Sequence, residues 1–575
     1  MLRPRPLLRR HAALATSLVA LVVLVATLTA CGNKDAEPGS GEAAAGGDVG
    51  GTLVMAAPEP DILLPPLVAG VEGKKMTDLL FDHLAELKPE LVTVGDAGFE
   101  PRLARRWTWS ADSLSIAFEI DPRARWHDGK PVRAQDVAFT FALYMDKAVA
   151  SPHASNFANV DSITVRDSLT AVAWYERRSP EQFFELVHNL HVLPEHLLAS
   201  VPRAQLATAP YARAPIGTGR FRFEKWEAGQ RLVLVADTAN YRGRAKLDRL
   251  VLVALTDPST GPTRLFTGEA DLLDLLRPEV IAQVPQHPDI RLLPYPGLDY
   301  AFMQFNLQDG KRSAPHPIFS DRAVRRALTM ALDRRAMMKS VFDTLSYLAM
   351  GPMTRVLSVA DTTVAQLPYD TAAAAALLDS AGWRDANGDG VREKNGRPLR
   401  FKLMAPAVSK NRLTYAVMIQ EQLRKAGVQV EVEQLDFNAF LQRQAAREFD
   451  ATMGAWHADP SPSAVRQTWT SEGATTGGAN YGMYRSAPFD AHIDSALAAF
   501  DPAATKRHFR AAHETMLADA PAVFLYEARP VIGIHKRIRT TGIRADAWWA
   551  DLADWSIPAS ERLPRDGAPQ VAARP

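Results

Sequence analysis

Apolar positions along the chain fall mostly into short alternating runs, parted by Pro- and Gly-bearing turns, with some longer stretches at helical spacing. Residues 52–57 read as a first strand, and residues 76–87 as a helix. Trp107 and Trp109 alternate, as do residues 114–120, and Ser110-Ala111-Asp112 between them supplies a hairpin turn. Residues 133–145 place Val137, Phe141 and Tyr144 at helical spacing. Residues 220–226, 232–235 and 250–255 then read as further strands.

From Tyr300 the pattern changes. Residues 301–306 read as a strand, and Asp321 caps an amphipathic helix carrying Val324, Leu328, Ala331 and Leu332. A helix over 370–381 is stopped by Gly382. The clearest unit runs from 399 to 456: strand 399–403, helix 414–426 closed by Gly427, a strand through Val428, Val430 and Val432, helix 437–447, and strand 449–456. That alternation predicts a wound α/β layer, in which ligands sit beyond the carboxyl ends of the strands. Trp456, His457 and Asp459 stand at such an end. No internal repeat is visible.

Composition narrows the class. With 575 residues the chain exceeds one ordinary core, so more than one lobe is expected. Apolar residues make up 47% and charged residues 23%, a globular balance. The 66 basic and 65 acidic residues offer no electrostatic case for nucleic acid as a partner. No Gly-x-Ser-x-Gly elbow and no Walker loop is present, so neither a serine hydrolase nor an ATPase is indicated.

The one Cys in the chain is Cys31. Arg3, Arg5, Arg9 and Arg10 precede an apolar run over 12–30, which ends in Leu28-Thr29-Ala30-Cys31. A basic start, an apolar stretch and a small-residue exit form a secretory signal. The final four residues resemble a bacterial lipobox, which implies cleavage before Cys31 and lipidation of its thiol. Residues 32–51, rich in Gly, Ala and acidic residues, read as a tether.

Four blocks then carry a family resemblance. Pro101-Arg102-Leu103-Ala104, Trp107, Ser110, Asp112 and Phe118 lead into Trp126-His127-Asp128-Gly129-Lys130-Pro131-Val132 and Ala134-Gln135-Asp136-Val137. Pro215-Ile216-Gly217-Thr218-Gly219 is followed by Phe221, Trp226, Gly229, Asn240-Tyr241 and Gly243. Ser320-Asp321 precedes Val324-Arg325-Arg326-Ala327-Leu328, Ala331 and Asp333-Arg334, and Ala374 leads to Gly382-Trp383 and the turn 385–390. In this order, over roughly 52–560, the chain resembles the extracellular solute-binding family 5 of ABC transporters, the peptide- and nickel-binding group.

The resemblance implies an α/β, two-lobed periplasmic-binding-protein-like clamp (type II, cluster C) with an extra subdomain. It implies a discontinuous first lobe (52–75, 213–298 and 516–562), the subdomain at 76–212, a second lobe at 299–515 and a flexible tail at 563–575. The implied function is capture of an oligopeptide or dipeptide between the lobes and delivery to a membrane permease driven by separate ATPase subunits. The protein would act as a monomer, outside the cytoplasm, held to the membrane through its lipid. Other family ligands are nickel complexes, haem and oligosaccharides, and the Arg-rich chain would also admit an acidic ligand. A solute-sensing surface receptor is the alternative of another class, and a secreted hydrolase a third.

Asp459 follows Gly454-Ala455-Trp456, and the resemblance implies an ion pair with a peptide's amino terminus; a cap or turn before Pro460 is the other reading. Trp456, Asn480, Tyr481 and Tyr300 are candidates for the pocket wall or for packing. Asp385-x-Asn387-x-Asp389-Gly390 imitates the start of a calcium loop, but Gly396 stands at the closing position and a tight turn is expected. His188, His191 and His196 lack a His-Glu-x-x-His motif, Pro194 interrupts them, and a structural role is expected. No cofactor, metal or catalytic residue is expected. Substituting Cys31→Ser should move the protein from the membrane fraction to the soluble one; unchanged membrane retention contradicts lipidation.

Overall fold

The computed structural model describes residues 48–309, 314–475 and 477–567. Cys31, the signal and most of the tether lie outside them. Within the described residues no helix is long and apolar enough to cross a membrane.

A seven-stranded sheet is built in the order Ile290–Pro294, Val531–His535, Leu272–Leu273, Thr52–Ala57, Arg249–Ala254, Arg231–Ala236, Phe221–Glu227. Thr52–Ala57 is buried along its whole length and runs parallel to both neighbours. A strand covered on both faces needs a continuous apolar run, and Leu-Val-Met-Ala-Ala supplies one. A six-stranded sheet is ordered Ser346–Leu348, Ala522–Ala528, Asp299–Phe305, Ala451–His457, Arg400–Pro406, Gln429–Leu435. Helices Lys410–Lys425 and Phe437–Ala446 connect its parallel members, which makes the predicted wound layer. A four-stranded antiparallel sheet (Ala104–Trp109, Ser115–Ile120, Thr170–Tyr175, Val160–Asp167) stands on its own core, which runs from Leu84 to Val192.

Local signals set many of the element ends. Asp321 and Asp370 accept hydrogen bonds from the amides of Ala323 and Ala373, both at 2.8 Å, and so cap their helices. The turn at 385–390 closes on itself: Asp385 accepts from the amides of Gly388 (2.7 Å) and Gly390 (3.0 Å). Backbone N–H groups already fill that carboxylate, so its oxygens are not arranged around a cation.

Three expectations change. The helix expected over 76–87 is instead Val71–Leu80, followed by the short strand Ala85–Leu87. The Leu80 carbonyl accepts from the amides of Thr218 and Gly219, and a Cβ on Gly217 would sit 1.8 Å from that oxygen. A tertiary contact through glycines therefore takes the carbonyl that a longer helix would use. The return to the first sheet falls between Ala528 and Val531 rather than at 516, because Ala522–Ala528 pairs inside the second sheet. Residues 563–567 are no loose tail: Asp566 is buried and accepts from Thr52 N at 3.0 Å.

That last contact belongs to a buried charge cluster. Arg537, 2% exposed, donates to both oxygens of Asp271 (2.8 and 2.9 Å), to Asp566, and to the Thr52 carbonyl at 3.0 Å. Asp271 in turn accepts from Val54 N at 3.0 Å. Four distant stretches of chain are thus tied at the edge of the central strand. Arg565 also donates to Asp271, at 2.7 Å, so removing Arg537 takes one of two cations from Asp271 and leaves the buried Asp566 with backbone donors alone, a loss of up to about 3–5 kcal/mol. Arg537→Ala should lower the midpoint of urea unfolding by that free energy; a change below about 1 kcal/mol contradicts the assignment.

Candidate ligand-binding cleft

The six-stranded sheet directs Ala451–His457 outward, and the loop after it carries Asp459, Pro460, Ser461 and Ser463 to the four-stranded subdomain. A cleft of about 460 Å³ lies between them. The subdomain wall presents Ser155, Asn156, Asn159, Arg177, Glu181, Glu185, His188 and Asn189, and Lys74 reaches in from the helix Val71–Leu80. The volume falls in the range of small-ligand sites.

One hydrogen bond spans the cleft. Ser461 Oγ donates to Glu181 Oε2 at 2.6 Å, and Thr93 Oγ1 donates to Glu181 Oε1. Glu181 and Ser461 are 8% and 7% exposed, so this pair closes away from water. Arg178 stacks over Phe500 at 4.6 Å, a second contact between the same two bodies. Burial pushes the Glu181 carboxyl upward, against the lowering effect of its Ser461 and Thr93 bonds. Burial likewise raises Glu185, and the neighbouring Glu181 adds to that rise.

Asp459 is exposed, lines the cleft and accepts no hydrogen bond among the described residues. It caps no helix; the following helix, Ala464–Trp469, begins at Ser463. Next to it His457 Nδ1 pairs with Asp299 at 3.1 Å, and that bond raises the imidazole above its ordinary value against the effect of burial.

The aromatic candidates separate into scaffold and rim. Trp456 is half-buried and stacks on Tyr481, with centroids 5.8 Å apart. Tyr300 lies opposite Trp456 in the strand ladder, but it is 3% exposed and its hydroxyl accepts from Trp469 Nε1 at 2.9 Å. Both border a small apolar void of about 30 Å³ behind the Asp459 loop rather than the main cleft. Asn480 is fully buried: its Nδ2 donates to the carbonyls of Thr470 (2.9 Å) and Tyr484 (2.8 Å), and its Oδ1 accepts from Tyr484 N at 3.2 Å. It staples a loop and has no group to spare for a ligand. Tyr300 and Asn480 are therefore corrected from candidate ligand contacts to packing residues.

The histidines part company. His196 pairs with Asp128 at 2.7 Å, and His188 stacks on Phe184. His191 Nε2 meets Asp78 Oδ1 at 2.7 Å, and its ring lies 4.0 Å from that of His83. Among the described residues Asp78, His83 and His191 form the one cluster whose donor atoms lie within 4.8 Å of one another. Lys74 Nζ already sits 2.8 Å from Asp78 Oδ2, and Trp549 Nε1 donates to the same oxygen at 2.9 Å. An ammonium and an indole thus occupy the carboxylate that a cation would need. Burial, then His83, lowers His191 to about 3, so its imidazole is neutral at physiological pH.

Sequence reading missed Glu181, Ser461, Thr93 and Asn159. Glu181 and Ser461 stand 280 positions apart, and no local pattern marks either. These groups surround the void with acceptors, donors and charge.

With this geometry in view, comparison with known proteins is decisive. Residues 98–477 match the family described as bacterial extracellular solute-binding proteins, family 5 Middle. The chain belongs to that family. It is an extracytoplasmic binding protein rather than an enzyme. The oligopeptide-binding protein AppA of Bacillus subtilis is 25% identical over 526 residues, covering 90% of this chain and 94% of that protein. The structure of AppA in complex with a nonapeptide covers 88% of this chain and 99% of its own, at 23% identity and a TM-score of 0.67. The substrate-binding protein CtaP of Listeria monocytogenes gives 0.75 at 20% identity, covering 89% of this chain and all of that one. These structural likenesses support the two-lobed fold.

A carboxyl whose pKa is raised by closure is protonated more readily in the closed state. Closure is then favoured below the ordinary carboxylate range and loses that support as pH rises through the raised value. The share of ligand affinity that comes through Glu181 should therefore weaken as pH rises from the ordinary carboxylate range through the raised value, and Glu181→Gln should remove that share of the pH dependence. Parallel profiles for the two proteins contradict this assignment.

Proposed function

We propose that this family member is the peptide-capturing component of an ABC importer. A peptide enters between the second lobe and the subdomain, and the closed complex hands it to a membrane permease powered by separate ATPase subunits. The observation that carries this reading is Asp459: an exposed carboxylate that accepts no hydrogen bond among the described residues, at the edge of the interlobe cleft. Its place after the outward end of Ala451–His457 suits an ion pair with a peptide ammonium. AppA, an oligopeptide-binding protein whose structure holds a nonapeptide, supports the same ligand class.

Binding and closure are one equilibrium. A guest that touches Asp459 on one body and the Glu181 wall on the other favours the closed state by its contacts with both. The Glu181–Ser461 bond adds a ligand-independent share of about 0.5–1.5 kcal/mol. The main chain of an extended peptide pairs with cleft polar groups, and its side chains fill water or shallow recesses. Lipidation of Cys31 would keep the loaded clamp near its permease, anchored by acyl chains worth about 0.8 kcal/mol per buried CH₂.

Mass spectrometry of material released from the purified protein identifies the native guest; peptides are expected. With a peptide of that class, Asp459→Ala should weaken binding of the free-amine form by about tenfold or more and leave the amino-acetylated form unchanged. Equal affinities for both forms in both proteins remove the role of Asp459.

A further inference from the structure

The subdomain wall of the cleft carries buried polar atoms that nothing in the protein satisfies. Asn159 lines the cleft and is 6% exposed, and neither its Nδ2 nor its Oδ1 meets a partner in good hydrogen-bond geometry, although its amide stands near enough to Glu185 to lower that carboxyl. Glu185 Oε2, on the same wall, is buried and equally without one. Each such group costs about 1–3 kcal/mol when left unpaired in the protein interior. A protein tolerates that cost where a ligand or ordered solvent supplies the missing partner.

The charges around the void tell which kind of partner fits. Asp459, Glu181 and Glu185 supply three carboxyl groups, against the cations Lys74 and Arg177. The Lys74 ammonium is engaged by Asp78, at 2.8 Å from Oδ2 and 3.1 Å from Oδ1. Both Glu181 oxygens are taken by Thr93 and Ser461. Glu185 Oε2 and Asn159 Oδ1 therefore remain as the free acceptors of this wall, with Arg177 as the one nearby cation acting on Glu185. An anionic guest would meet Glu185 and Glu181 at close range.

We propose that Asn159 and Glu185 form a subsite for a cationic ligand side chain, an ammonium or a guanidinium, so that the cleft prefers peptides bearing lysine or arginine. The inference rests on the peptide reading above and adds a selectivity to it. Glu185 accepts a charge-assisted bond from the cation and Asn159 Oδ1 a second one, while the Asn159 amide lowers the Glu185 carboxyl and so favours its charged form. The ligand's positive charge also offsets the repulsion between Glu185 and Glu181. The Arg-rich composition that would admit an acidic ligand is not reflected in the lining of this wall.

The test is calorimetric titration of the full-length protein with short peptides that differ only in lysine, norleucine or glutamate at one position, scanned along the peptide. Norleucine keeps the length of the lysine stem and drops the charge. At one position the lysine form should bind about tenfold tighter than the norleucine form, and the glutamate form weakest. Glu185→Gln should remove most of that preference, bringing the lysine and norleucine forms to similar affinities. Equal affinity of lysine and norleucine forms at every position overturns the subsite without need of a variant. A preference unchanged in Glu185→Gln overturns the assignment of its residues. Failure of every peptide to bind overturns the peptide reading and this inference with it, whereas binding without charge preference overturns this inference alone.

Discussion

Among the described residues the backbone passes between the two large sheets only twice, and the two passages run side by side. One lies between Pro294 and Asp299, the other between Ala528 and Val531. The Tyr295 amide donates to the Pro530 carbonyl at 3.0 Å, and Gly297 packs so close that a Cβ there would sit 2.7 Å from Pro530 Cδ. The two passages run antiparallel, between the pairing of Ile290–Pro294 with Val531–His535 in one sheet and that of Asp299–Phe305 with Ala522–Ala528 in the other. Everything that encloses a guest follows from this constraint: two stiff bodies, each with its own apolar core, whose one soft coordinate opens or shuts the gap between them.

Stiffness on either side is what makes that coordinate useful. The Arg537–Asp271–Asp566 cluster ties the first strand to the far end of the chain, so the first body does not loosen when the cleft opens. In the second body Asn480 and the Tyr300–Trp469 bond hold the loops and strands behind Asp459. The cleft residues themselves are held less firmly by protein partners. Among the described residues Asp459 accepts no hydrogen bond, and neither amide atom of Asn159 meets a partner in good hydrogen-bond geometry. Rigid support behind an under-satisfied surface is the arrangement a binding site requires.

Much of the fold was legible in the sequence because local rules decide it. The strand–helix alternation through 399–456, the Asp caps at 321 and 370, and the hairpin after Trp109 all rest on period, capping and turn chemistry within a few residues. The helix at 76–87 was misplaced because the amides of Thr218 and Gly219, some 140 positions away, take the Leu80 carbonyl. The site was legible only in part. Asp459 was singled out by its position after a strand end, and it lines the cleft. Tyr300 and Asn480 have the residue types of a pocket wall, yet their polar groups are spent on Trp469 and on Tyr484. Residue type does not reveal burial or partners. Glu181, Asn159 and Glu185 carried no local mark, since their meaning depends on the loop at 459–463 folding against them.

The central claim is that the two bodies close on a guest around the double passage. Pulsed electron–electron resonance measures it directly, with spin labels at Arg166 on the subdomain and Glu472 on the second lobe in a Cys31→Ser background. Both positions are exposed. Free protein should give a broad distribution of distances that narrows and moves to a single population at saturating peptide. A distance distribution identical with and without bound peptide would contradict closure by bending at the passages.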